Sequence, residues 1–171
     1  MRISSLEEYG LRCLLTLATQ PEGIQLTIPE IAEKEGLSEP YAGKLLSILK
    51  KGNLIKSARG RKGGFTIAKP AKEITLLEAV TTLGGPLIEN DHCAKFTGIL
   101  RRCVHYDCCS VRYVLGGLVA YIGEFLSKTT LADIMNDHEL NNKEWLAGMS
   151  RAISAPVHPS TGAVKQQGFD I

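Results

Sequence analysis

From its amino terminus, the chain alternates between stretches with a three-to-four-residue apolar period and short breaks of glycine, proline and charge. Ser4 or Ser5 can cap a first helix over about Ser5–Thr19. Leu6, Gly10, Leu14 and Leu17 form one stripe of it, and Leu11, Leu15 and Ala18 another. "PEG" at 21–23 breaks it. "TIPE" at 27–30 has the form of a capping box, with Thr27 at the N-cap and Glu30 three residues on. The short helix it opens carries Ile28, Ile31 and Ala32 and stops at Gly36. Ser38 then caps "EPYAGKLLSILKKG", with Pro40 in the first turn, an inner face of Ala42, Leu45, Ile48 and Leu49, and Gly52 as the stop. Two short helices joined by a tight "GLS" link predict a helix-turn-helix.

The period then changes. "NLIKS" and "GFTIAK" predict two short strands, and "ARGRKGG" between them loads Arg59, Arg61 and Lys62 onto a glycine-rich turn. This is a β-wing beside a helix-turn-helix. "TLLE" at 75–78 has the form of another capping box, and its helix ends at "GGP" (84–86). Residues 86–109 lack periodicity. A helix of about four turns follows, in which Val111, Val114, Leu115, Leu118, Val119, Ile122 and Phe125 recur at helical spacing. Gly116, Gly117, Ala120 and Gly123 keep its other faces small and non-polar. A helix apolar on most sides must be covered, and in a chain this small the expected cover is a second copy. "TLADIM" at 130–135 predicts a short helix.

The expected fold is therefore mainly α with a small β-wing: a winged helix-turn-helix domain over 1–85, a cysteine-bearing loop at 86–109, a long dimerisation helix with its short follower at 110–135, and an extension at 136–171. The extension is Ser/Pro/Gly-rich from about Ser150 and is expected to be disordered there.

Charge sharpens this picture. The net charge is only +2, yet nine of the 20 Lys/Arg fall between Lys44 and Lys72, with no Asp or Glu among them. A solvated face ordinarily mixes signs, so the segregation points to a polyanion partner. In a helix-turn-helix the second helix enters the major groove. Its start at Ser38 and its outward residues Glu39, Tyr41, Lys44 and Ser47 are the expected contacts with double-stranded DNA. Arg59, Arg61 and Lys62 are placed to reach the adjacent minor groove, where concentrated negative potential favours Arg. The competing reading is a winged helix used for protein contacts. No phosphate loop, nucleophile motif or dinucleotide fingerprint supports an enzyme.

"CVHYDCCSVR" (103–112) raises a second chemistry, with three cysteines in seven positions and Cys93 just upstream. The longest apolar stretch, 111–126, is interrupted by Arg112 and Glu124, and the amino terminus has no apolar signal core, so a cytoplasmic protein with no membrane partner is expected. Reducing surroundings and an odd count of five cysteines disfavour a disulfide framework. Metal, cluster or thiol chemistry remains. Zinc would accept three cysteines and a histidine. Cys103, Cys108 and Cys109 could instead act as an oxidisable thiol switch.

"EPYAGKLLSILKKGNLIKSARGRKGGFTIAKPAKEITLLEAV", together with "YGLRCLLTLA" and "FLSKTTLADI", resembles the Rrf-two family of bacterial winged-helix transcription regulators, which includes the IscR/NsrR-like iron–sulfur cluster regulators. The resemblance spans about residues 1–135. It implies a homodimer on an inverted-repeat operator, with the helix at 110–127 as the dimer interface, and a repressor sensing redox state, nitric oxide or iron–sulfur status. It also implies a cluster, 2Fe-2S or 4Fe-4S, held by Cys93, Cys103 and Cys109. Cys103-x5-Cys109 and "CSVR" follow the family pattern. The Cys93-x9-Cys103 gap is longer than usual in the family, and Cys108 is extra. The nitric-oxide-sensing branch takes its fourth ligand from an acidic residue early in the first helix of the partner subunit, and "EYGLR" aligns Glu8 there. Glu8 could equally be the carboxylate of a capping box with Ser5. His92, His105 and Cys108 are rival ligands. Cys13 lies about 140° around the helix from Glu8 and is read as a core residue.

Overall fold

The computed structural model describes residues 3–58, 60, 63–87 and 92–137. The tip arginines and lysine of the expected wing (Arg59, Arg61 and Lys62), the side chain of His92, and the extension after Asp137 lie outside the described residues.

The first helix, α1 (Ser5–Ala18), starts one residue earlier than a Ser5 cap would place it. Ser4 is the N-cap. The Glu7 carboxylate accepts hydrogen bonds from the Ser4 N–H at 2.8 Å and the Ser4 hydroxyl at 2.6 Å, and the Glu7 N–H donates to that hydroxyl at 3.2 Å. Glu8 therefore takes no part in the cap. Helix α2 (Ile28–Glu35) begins at Thr27, whose N–H and hydroxyl both donate to Glu30; these bonds hold the Glu30 carboxyl below the usual carboxylate range. It ends on Gly36 at φ +66°, a left-handed stop that glycine adopts without steric cost. Helix α3 (Glu39–Lys51) follows after Gly36, Leu37 and Ser38.

Strands β1 (Ile55–Ala58) and β2 (Gly64–Ile67) pair antiparallel, with Ile55 opposite Ile67 and Ala58 opposite Gly64. Leu26 adds a bridge to Phe65, with hydrogen bonds of 2.8 and 3.1 Å, so the segment before α2 extends the sheet by a third short rung. A Cβ on Gly64 would lie 2.7 Å from the Leu26 carbonyl oxygen, so only glycine admits this approach. A single 3₁₀ turn (Ala71–Glu73) leads to α4 (Leu76–Gly84). Thr75 caps α4 as its sequence predicts, accepting the Glu78 N–H. The Glu78 side chain does not return the bond; it pairs with Lys69 at 2.7 and 2.9 Å.

The core lies where α1, α3, α4 and the wing meet. Leu14, Ile31, Leu45, Leu46, Leu49, Leu54 and Ile74 are fully buried there, with Leu131 from the far end of the described chain. Cys13 is among them with no exposed surface, and desolvation pushes its thiol up to about 11. Gly10 lets α1 and α4 close on one another: a Cβ there would sit 2.3 Å from Leu83.

After α4 the chain leaves the core. A four-residue helix, α5 (His92–Lys95), stands in the stretch that shows no sequence periodicity. Then come the cysteine loop, α6 (Ser110–Lys128) and α7 (Leu131–Asp137). Helix α6 has no buried residue. Its apolar positions divide into two stripes. Leu115, Val119, Ile122 and Leu126 are half-buried, whereas Val111, Val114, Leu118, Tyr121 and Phe125 are exposed. The carboxyl end of α6 is pinned by a bridge between Thr75 and Thr130, with the Leu76 N–H on the Thr129 carbonyl at 2.8 Å and the Leu131 N–H on the Ile74 carbonyl at 2.9 Å.

Candidate nucleic-acid interface and cysteine loop

Of the residues expected to read DNA, Ser38, Glu39, Lys44 and Ser47 are exposed on α3. Ser38 holds the N-cap position, but its hydroxyl caps nothing; the Tyr41 and Ala42 N–H groups bond its carbonyl instead. Its side chain is thus available to an external acceptor. Tyr41 differs from the expectation of a simple outward reader: it is half-buried and packs against the core edge. Lys50, Lys51 and Lys56 add exposed positive charge, and the Lys50 ammonium donates to Ser57 at 2.6 Å, tying the end of α3 to β1. Towards the wing tip, Gly60 has φ +121° and accepts the Gly63 N–H at 2.8 Å. A Cβ on Gly63 would come 2.5 Å from the Ala58 carbonyl oxygen, so the turn requires glycine at both positions.

The contacts behind α3 were not legible in the sequence. Arg12 on α1 donates from Nε to the Glu35 carboxylate at 2.8 Å and from Nη2 to the Glu35 carbonyl at 3.2 Å, and the Thr16 hydroxyl donates to the other carboxylate oxygen. Arg12 also lies 5.3 Å from the Tyr9 ring centre. Tyr9 meets Tyr41 edge-on, with centroids 6.1 Å apart and planes at 83°. Glu8, beside Tyr9, is exposed and makes no side-chain hydrogen bond or ion pair among the described residues.

The cysteine loop has its own internal order. Cys93 is on α5. Cys103 and Cys109 bracket two tight turns closed by Tyr106 N–H to the Cys103 carbonyl and Cys108 N–H to the His105 carbonyl. Cys109 is the N-cap residue of α6, and its Sγ accepts the Arg112 N–H at 3.3 Å. The Arg112 side chain reaches back to the Tyr106 carbonyl. The Tyr106 ring lies near two guanidiniums, Arg102 at 4.0 Å and Arg112 at 5.2 Å, and Arg102 is further held by Asp107 at 2.9 Å. Cys93, Cys103 and Cys109 are free and half-buried; Cys108 is free and exposed, as is His105.

Three half-buried thiols fit the donor chemistry of an iron–sulfur cluster. Among the described residues, however, no three His, Cys, Asp or Glu side chains gather to hold a metal ion within the single chain. Exposed apolar side chains surround the loop: Phe96, Ile99, Leu100 and Val104. Among the described residues no helix is long and apolar enough to cross a membrane.

A family profile described as Rrf2, iron-dependent transcriptional regulator, matches residues 3–137. Solved structures share the arrangement. IscR of T. potens is 28% identical, with 81% of this chain and 88% of that chain covered and a TM-score of 0.64. CymR of B. subtilis, described as the global cysteine regulator, is 27% identical over 78% and 95%, with a TM-score of 0.60. The oxidized form of Staphylococcus aureus CymR is 28% identical over 78% and 95%, with a TM-score of 0.58.

Proposed function

This chain belongs to the Rrf2 family of transcriptional regulators, and from that premise we propose that it is a cytoplasmic homodimer that represses from an inverted-repeat operator according to the state of its cysteine loop. The observation that carries the reading is that the loop is built into the start of α6. Cys109 is the helix N-cap, so any change at its sulfur acts on the helix whose apolar stripe is unpartnered.

The DNA half rests on surface chemistry. Helix α3 would present Glu39, Lys44 and Ser47 to a major groove, with the Ser38 hydroxyl free for a phosphate. Arg59, Arg61 and Lys62 would follow the adjacent minor groove. The dimer half rests on α6: five exposed apolar side chains on one stripe suit a two-fold interface, which would also set the two α3 helices one operator half-site apart.

For the loop we favour an iron–sulfur cluster held by Cys93, Cys103 and Cys109, with Glu8 of the partner subunit as fourth ligand. When bound, it supplies an iron centre responsive to electrons or small reactive gases. The chain's own residues then do the rest. Arg102 and Arg112 stiffen the turns through Tyr106. Glu8 suits a ligand role because Glu7 already serves the cap, which leaves its carboxylate uncommitted. The alternative, a cluster-free thiol switch, is favoured by one observation: Cys108 is exposed beside Cys109.

Anaerobic purification decides between them. A cluster protein is brown, with a Mössbauer spectrum that also gives the nuclearity; Cys93→Ser, Cys103→Ser and Cys109→Ser bleach it, while Cys108→Ser does not. A colourless protein whose DNA binding is lost with peroxide, recovered with thiol reductant and insensitive to peroxide as Cys108→Ser would establish the switch instead.

A further inference from the structure

A cleft of about 610 Å³ opens between the end of α1 and the strands of the wing, and it includes no residue of α3 or of the cysteine loop. Small-molecule sites commonly span roughly 300–1,000 Å³. Backbone hydrogen bonds build its walls. The Ile24 N–H closes a turn on the Pro21 carbonyl at 3.0 Å, Leu26 is bridged to Phe65, and the Ala68 N–H bonds the Leu54 carbonyl at 2.9 Å.

Two of the polar side chains around the cleft are engaged within the fold. Gln20 donates to the Thr16 carbonyl at 2.8 Å, and the Lys69 ammonium is held by Glu78. Glu22, Gln25, Lys56 and Thr66 also line it and make no side-chain hydrogen bond or ion pair among the described residues. The Gln25 Oε1 is buried and accepts nothing. An unpaired buried acceptor carries the full penalty of its desolvation, which a donor in the cleft would remove. Turning the amide over would bury an unpaired Nε2 in the same place, so the position calls for a polar partner either way.

The free groups are sorted by charge. The α1 side offers acceptors, the Glu22 carboxylate and Gln25 Oε1, beside the end of a helix whose last turn holds no basic residue. A cation is favoured at such an end. The wing side offers a free ammonium, Lys56, opposite Thr66 in the strand register. Each side adds apolar surface, Leu17 from α1 and Ile67 from β2. An ammonium, a carboxylate and an apolar body on one small molecule match this set.

We propose that the cleft binds a small apolar zwitterion, a free amino acid or a dipeptide, with its ammonium on Gln25 and Glu22 and its carboxylate on Lys56. One wall of the site is the wing itself, so the occupant is an effector of DNA binding. The effector role rests on the DNA reading given above; the binding site does not.

Isothermal titration calorimetry of the full-length protein with L-leucine and with the dipeptide L-leucyl-L-leucine tests the site. The two probes carry the same groups at different spacings, so their comparison identifies the source. At least one should bind saturably, one per chain. Gln25→Leu and Lys56→Ala should each weaken that probe by roughly tenfold or more. Gln25→Leu removes an unpaired buried group, so its melting temperature should not fall; a glutamine with only a structural role would show the opposite. Should Gln25→Leu fail to fold, Lys56→Ala, at an exposed position, carries the test. Binding of neither probe, or binding that both substitutions leave unchanged, would overturn the site. Operator affinity, read by fluorescence anisotropy at saturating probe, should shift by roughly fivefold or more. An unshifted affinity would overturn the effector role, and a protein that binds probe but no DNA would overturn the DNA reading instead.

Discussion

Replacing Leu118 tests the assembly most directly. Leu118 lies on the outer stripe of α6 and is 52% exposed in the protomer. Full burial of a leucine side chain contributes about 1.5–3 kcal/mol. About half of that, roughly 1 kcal/mol, remains to be gained when a second copy covers it. A two-fold interface counts the residue twice, so Leu118→Ala should cost about 2 kcal/mol, or roughly a 30-fold rise in the dimer dissociation constant. Leu118→Glu adds the desolvation of two carboxylates, several kcal/mol per ion, and should leave monomer at micromolar concentration. The fold of the protomer should survive, because no residue of α6 is buried in its own chain. Sedimentation velocity across a concentration series reads the dissociation of both variants, and circular dichroism checks that the protomer stays folded. If the Leu118→Glu protein sediments as the wild-type dimer, the outer stripe of α6 is not the interface, and half-site spacing can no longer be derived from it.

Three other outcomes follow from the described contacts. Lys44→Ala should weaken operator binding and lower the slope of log affinity against log salt by about one, because one phosphate neutralisation is lost; an unchanged slope removes Lys44 from the DNA. Cys13 is fully buried with its thiol raised to about 11, so the folded state holds its proton more tightly than the unfolded chain. That contribution is complete below pH 9 and is lost as the pH rises towards 11, on the order of 2 kcal/mol; the fall in melting temperature between pH 9 and 11 should shrink in Cys13→Ala, measured by calorimetry. Gly10→Ala places a Cβ 2.3 Å from the Leu83 side chain and should cost about 1–3 kcal/mol, a fall of several degrees in melting temperature; an unaltered melting curve would mean that the Leu83 side chain swings aside at no cost.

Much of the reading head was legible because its signals are local. Thr27, Gly36, Thr75 and the glycine-flanked wing each act over a few residues, and each stands where the sequence predicts. The choice between Ser4 and Ser5 at the first cap, which the sequence leaves open, has a physical origin. "SSLEE" satisfies the capping-box spacing twice, as Ser4 with Glu7 and as Ser5 with Glu8, and only the folded backbone chooses the first. That choice matters, since it frees Glu8. The Arg12–Glu35 bond spans 23 residues and the Leu26–Phe65 bridge joins segments on either side of two helices; no short-range pattern encodes either. Tyr41 reads as outward by helical period, yet Tyr9 supplies a neighbour that period cannot anticipate. The division of α6 into a half-buried and an exposed stripe is likewise invisible in a helix apolar on most sides.

The bridge between Thr75 and Thr130 bears on how the cysteine region can vary in length. The chain departs from the reading head after Gly85 and rejoins it at Thr129, beside the start of α4. Everything between is an excursion whose two ends are held by the same body. Closing such a loop costs conformational entropy that grows only logarithmically with length, about 0.6 kcal/mol for each doubling. A few residues added between Cys93 and Cys103 therefore cost a small fraction of that, and the packing of α1, α3 and the wing need not change to absorb them. The Cys93–Cys103 spacing falls within this excursion, so the cysteine-bearing segment can be lengthened or exchanged while the packing of α1, α3 and the wing stays the same.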